Sequence, residues 1–143
     1  MKSLIMCIGN REGGDDAFGP YIAYKLGDVF DVIDCGTSPE NYTGVVKKKN
    51  PENLIIIDAV EMGLQPGSIR IIPRDKIGVM TISTHGIPIS LIIEYLEQNV
   101  KNIIFIGIQP KKMSGQMSEV VRKEADTLIS LITNKKIDKI QTL

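Results

Sequence analysis

Three short apolar runs rich in β-branched residues punctuate the chain: Leu4 to Ile8, Leu54 to Ile57 and Ile103 to Ile106. Unbroken runs of this kind suit strands covered on both faces of a parallel sheet. Between them, apolar positions recur with a helical period. Ile22, Leu26, Val29 and Phe30 follow i, i+4, i+7, i+8, and Ile89, Ile92, Ile93 and Leu96 follow i, i+3, i+4, i+7. Pro20 and Pro88 sit near the starts of these helices, where a missing N–H is harmless, and Pro51 closes a weaker helix around Tyr42 to Lys48. A last helix is expected from about Ser118 to Ile132, with Ser118 as its cap and Val121, Ala125, Leu128 and Ile132 facing inward. Val32 to Asp34 and Ile69 to Ile72 read as two further strands. The second follows the turn signal Gln65-Pro66-Gly67, which makes it an antiparallel edge strand or a hairpin arm. The pattern predicts an α/β fold: one three-layer domain over residues 1–143, with a mainly parallel twisted sheet of about five strands and helices on both faces.

Composition narrows the class. At 143 residues, 43% hydrophobic and 24% charged, the chain can bury a core and does not resemble a disordered or disulfide-stapled sequence. Seventeen basic residues balance seventeen acidic ones, so no overall field would gather nucleic acid or anionic lipid. The lysine runs 47–49, 111–112 and 135–136 read as solvated helix ends. Cys7 and Cys35 are too far apart for a CxxC motif and read as buried, reduced thiols. The first ten residues are too short and too weakly apolar for a signal segment or a spanning helix, so a cytoplasmic protein is expected. No heptad pattern calls for a dimer, and a monomer is the expectation.

In sheets of this kind ligands bind beyond the carboxyl ends of the strands, where strand order reverses. The first run feeds a glycine-dense loop, Gly9-Asn10-Arg11-Glu12-Gly13-Gly14-Asp15-Asp16-Ala17-Phe18-Gly19-Pro20. Its acidic residues would repel a phosphate, and it matches neither GxGxxG nor GxxxxGK[ST]. One of Asp15 and Asp16 can cap the following helix, which leaves the other free for chemistry. Asp58 directly follows the central apolar run, where a carboxylate is partly desolvated and needs hydrogen bonds, a cation or a metal. His85, the only histidine, lies at another loop-to-helix junction. Two aspartates and one histidine can hold a divalent transition metal with open positions. An aspartic dyad of Asp16 and Asp58 is chemically feasible but lacks its usual sequence setting. HExxH and GxSxG are absent, and neither cysteine is placed as a nucleophile. Glu40, in the glycine-bearing stretch 36–41, reads as helix-capping or solvated, the alternative being a partner for a basic residue of a bound chain.

Taken in order, Gly9-Asn10 with Gly14-Asp15-Asp16, Ile57-Asp58-Ala59, Met62-Gly63-Leu64-Gln65-Pro66-Gly67, Ser83-Thr84-His85 and Gly107-Ile108-Gln109-Pro110 resemble the hydrogenase maturation endopeptidases. The likeness is strongest to the branch that serves hydrogenase 3 of formate hydrogenlyase. It implies a protease that removes a C-terminal extension from the large-subunit precursor of a nickel–iron hydrogenase after nickel insertion. By the same resemblance Asp16, Asp58 and His85 are the metal-binding and catalytic residues, and the nickel is supplied by the precursor. Zinc or cadmium would suit the same donors. Asp15 maps onto the first aspartate of the pair, as a helix cap. A second reading of the same donors is a nickel-dependent docking module or chaperone that binds the large subunit without cutting it.

Overall fold

The computed structural model describes residues 2–78, the backbone of 81–82, and residues 87–143. The first apolar run forms β1 (Ser3–Cys7), and a 3-10 turn (Gly14–Ala17) leads into α1 (Phe18–Leu26). β2 (Val32–Asp34) follows, then a 3-10 turn (Pro39–Tyr42) and α2 (Thr43–Lys49). The central run becomes β3 (Asn53–Glu61), followed by β4 (Ile69–Ile72), a single-turn α3 (Arg74–Ile77) and the two-residue β5 (Thr81–Ile82). α4 (Ile89–Leu96), β6 (Asn102–Ile108), α5 (Glu119–Thr133) and a 3-10 turn (Ile137–Lys139) complete the order.

Five strands lie in the order β2-β1-β3-β6-β4, and β5 pairs with the far end of β3. β2, β1, β3 and β6 run parallel to one another, β5 runs antiparallel to β3, and β4 runs antiparallel to β6 at one edge, the first of the two arrangements read from the turn before it. Alternate residues of β3 feed two apolar layers. Leu54, Ile56 and Val60 face Val46 of α2, Ile77 of α3 and Ile89, Ile92, Ile93 and Leu96 of α4. Ile55, Ile57 and Ala59 face Phe18, Ile22 and Leu26 of α1 and Val121, Ala125, Leu128 and Ile132 of α5. The faces predicted for α4 and α5 are thus the buried ones, as are Ile22 and Leu26 of α1.

Three expectations need correction. α1 ends at Leu26 instead of reaching Phe30, because Gly27 and Asp28 favour a turn over a further helical residue; Val29 is 72% exposed. Ser118 holds the N-cap position of α5 in extended conformation, yet its side chain makes no cap hydrogen bond. Asp58 is not beyond the strand but inside it, since pairing with β6 continues through Ala59 and with β5 through Val60 and Glu61. The segment after α5 returns to the β4 edge: Ile71 N–H donates to the Gln141 carbonyl at 3.0 Å, and Leu143 N–H to the Ile71 carbonyl at 2.9 Å.

Candidate active site

Chain order and strand order diverge between β1 and β3: the connection from β1 runs to β2 on one side, while β3 lies on the other. That crevice is the topological switch point where open parallel sheets bind ligands. Ile8 N–H donates to the Ile57 carbonyl at 2.9 Å, which carries the β1–β3 pairing up to Asp58. Asp58 is fully buried (0% exposed) and shares its strand face with Ile56 and Val60, on the side of α4. Its Oδ1 accepts from the Ala59 N–H at 2.8 Å.

Past β1 the chain folds back over its own strand end. Gly9 has φ +152° and a Cβ there would lie 2.0 Å from the Asp16 carbonyl oxygen, so only glycine lets the turn come down so closely. Asp16, 5% exposed, points its Oδ2 at the Asn10 N–H, 3.0 Å away. The turn that carries it packs against β3. The two carboxylates thus come from the turn that follows β1 and from β3 just past Ile57, the last residue that pairs with β1. Ile82, whose backbone pairs with Val60, brings the chain back to the same end of β3. His85 lies outside the described residues. Among the described residues no three His, Cys, Asp or Glu side chains form a metal-holding cluster.

Asp15 is not a helix cap. Neither the 3-10 turn nor α1 has a side-chain cap bond, and the Asp15 carboxylate turns instead toward residues 111–118. Burial works to raise its pKa, but hydrogen bonds from Lys112, Ser118 and Lys111 outweigh this and hold it below the usual carboxylate range. Phe18 is core, fully buried. Glu40 sits half-buried in the first turn of the 3-10 helix Pro39–Tyr42, where it makes no cap bond, and its Oε1 is buried without a hydrogen-bond partner among the described residues.

Two residues gain roles that periodicity did not assign. Asp34, at the end of β2, accepts from Arg11 Nη2 at 2.8 Å, across a pocket of about 420 Å³ that Gly9, Asn10, Glu12 and Gly36 also line. Gln109, 3% exposed, accepts from the N–H groups of Met62 (2.7 Å) and Leu64 (3.2 Å) and donates to Glu61 Oε2 at 2.7 Å. It thereby pins the loop after β3 to the end of β6. The available signal was a polar residue directly after an apolar run, the same that marked Asp58.

The hydrogenase maturation protease family model matches residues 22–135. The chain belongs to this family. It is 40% identical over 115 residues to the hydrogenase 3 maturation protease of Escherichia coli K12, covering 77% of this chain and 74% of that protein. The solution structure of the endopeptidase HycI from E. coli superposes with a TM-score of 0.92 at 32% identity, over 100% of this chain and 97% of that one. The crystal structure of HycI from Thermococcus kodakarensis gives 0.81 at 30% identity, over 94% and 92%. This member of the hydrogenase maturation proteases is accordingly a peptidase, and the switch-point crevice is its candidate active site. Its likeness to HycI covers the whole sheet and both helical layers.

Proposed function

We propose that this protease removes the C-terminal extension of a nickel–iron hydrogenase large-subunit precursor once nickel has been inserted, and that the inserted nickel is what it recognises. The reading is carried by one observation: two buried aspartates border the switch point, Asp16 in the turn after β1 and Asp58 in β3 just past its pairing with β1. Desolvated carboxylates there favour a cation, and with the His85 imidazole they make a mixed oxygen and nitrogen donor set that suits nickel. The nickel arrives as part of the substrate. Asp16, Asp58 and His85 then complete its coordination, so that a precursor without nickel lacks the bond that holds its scissile peptide in the crevice. Pro20, Tyr21, Tyr24 and Met117 line a pocket of about 330 Å³ beside the Asp16 turn, an apolar wall suited to a protein chain.

The test is intact mass of nickel-loaded and nickel-free precursor before and after incubation with the wild-type protease, Asp16→Asn and Asp58→Asn. Loss of one C-terminal peptide is expected with the wild type only, from nickel-loaded precursor only, and each variant should cleave at least about 100-fold more slowly. Equal cleavage of nickel-free precursor would remove the metal from recognition. An unchanged mass with retained binding would favour a docking module for this client.

A further inference from the structure

Outside the proposed ligand set, a hydrogen-bond clasp ties the turn that carries Asp16 to the segment after β6. Its centre is Asp15, fully buried at 0% exposure. Oδ2 accepts from the N–H groups of Lys111 at 2.7 Å and Lys112 at 3.0 Å. Oδ1 accepts from the Ser118 N–H at 2.7 Å, and the Ser118 hydroxyl lies 2.9 and 3.0 Å from the two oxygens. No lysine or arginine side chain pairs with this carboxylate among the described residues. A charge without a counter-ion is thus kept in the interior by donors from the opposite end of the sequence.

The backbone closes the same seam. Asp15 N–H donates to the Lys112 carbonyl at 2.9 Å, Gly14 N–H to the Gly115 carbonyl at 3.1 Å, and Gly13 bridges Gly115. Gly14 has φ +64°, and a Cβ there would lie 2.6 Å from the Ser114 nitrogen, so no side chain fits into the seam. Holding a surface loop does not require a buried charge. What a buried carboxylate adds is resistance to displacement, because every donor that moves away leaves an ion less solvated. The peptide unit that carries this anchor also leads directly into Asp16.

We propose that Asp15 is a positioning residue for Asp16. By clasping residues 111–118 it fixes the outer side of the Gly14–Ala17 turn, while the Asn10 N–H fixes the inner side, so the Asp16 carboxylate is set at the crevice before substrate arrives. This rests on the reading of Asp16 as a metal-binding residue. Asparagine at position 15 keeps the shape but presents an NH2 group to donors that need an acceptor, so the turn is free to shift.

The experiment compares the wild type, Asp15→Asn, Ser118→Ala and Asp16→Asn at a temperature at least about 15 °C below each melting point. It measures kcat and KM for the nickel-loaded precursor, and cadmium(II) affinity of the protease alone by calorimetry. Asp15→Asn is expected to lower kcat/KM and cadmium affinity together by about 10–100-fold, and Ser118→Ala, which removes one hydroxyl donor only, by about 2–5-fold. Wild-type values of both quantities in folded Asp15→Asn would overturn the proposal. Should that variant not fold, wild-type values in Ser118→Ala would do the same. Wild-type cleavage and cadmium affinity in Asp16→Asn would instead overturn the assignment of Asp16 on which the proposal stands.

Discussion

Cys7 ends β1, and its carbonyl accepts the Cys35 N–H at 2.8 Å across the β1–β2 pair, so the two thiols occupy neighbouring buried sites. Both are free. Burial pushes the Cys35 thiol up to about 12, with the Asp34 charge adding to it. Cys7 is raised well above the ordinary thiol range by burial first, then by Cys35, Asp34 and Asp58. A raised thiol pKa means less thiolate at any working pH, and only thiolate alkylates readily. Iodoacetamide should therefore leave the folded protein unmodified by mass spectrometry from pH 7 to 9, and should add two labels once denaturant is present. Fast labelling of the native chain would show that the thiols are reachable. These thiols were legible as inert from their place in or beside apolar runs. Asp15 was not, because its partners lie about a hundred residues away and a cap is the usual use of an aspartate before a helix.

The elements around the site meet through glycine. α1 crosses the end of β1 at Gly19, where a Cβ would lie 2.2 Å from the Ile8 carbonyl oxygen and 2.8 Å from the Ile8 nitrogen. A backbone atom cannot swing aside as a side chain can. Gly19→Ala must therefore push the helix off the strand, at a cost of about 1–3 kcal/mol or more, read as a melting temperature lowered by about 4–10 °C. Because α1 follows directly on the Asp16 turn, cleavage should fall in the same variant even when measured well below its melting point. Unchanged stability would mean that the helix can ride higher on the sheet at no cost. Element identity was readable from period alone: runs for β1, β3 and β6, spacing for α4 and α5. Element ends were not. β3 extends past Asp58 because β6 and β5 supply hydrogen bonds there, which no property of the β3 sequence reveals. α3 is a single turn, too short to carry a period, and no spacing marks it.

At the scale of the molecule, the sheet holds Asp58 and the turn that carries Asp16, and the returning segment after α5 closes its β4 edge. Ile140 is 8% exposed and packs with the α1 and α5 layer, while Leu143 packs against the opposite layer. Removing residues 141–143 deletes two edge hydrogen bonds far from the crevice, each worth about 1 kcal/mol. The truncated protein should melt about 3–8 °C lower, with kcat/KM for precursor unchanged below its melting point. A loss of cleavage would tie this edge to substrate binding. Among the described residues no helix is long and apolar enough to cross a membrane. Sequence by itself determined the α/β class, the buried faces of α4 and α5 and the family, because these follow from local period and from motifs that keep their order. Tertiary structure alone decided that β1 and β3 are neighbours with the reversal of strand order between them, that Asp58 lies within its strand, and that Asp15 clasps residues 111–118. Each of these depends on hydrogen bonds between segments far apart in the chain, and a linear pattern carries no signal for which distant donor meets which acceptor.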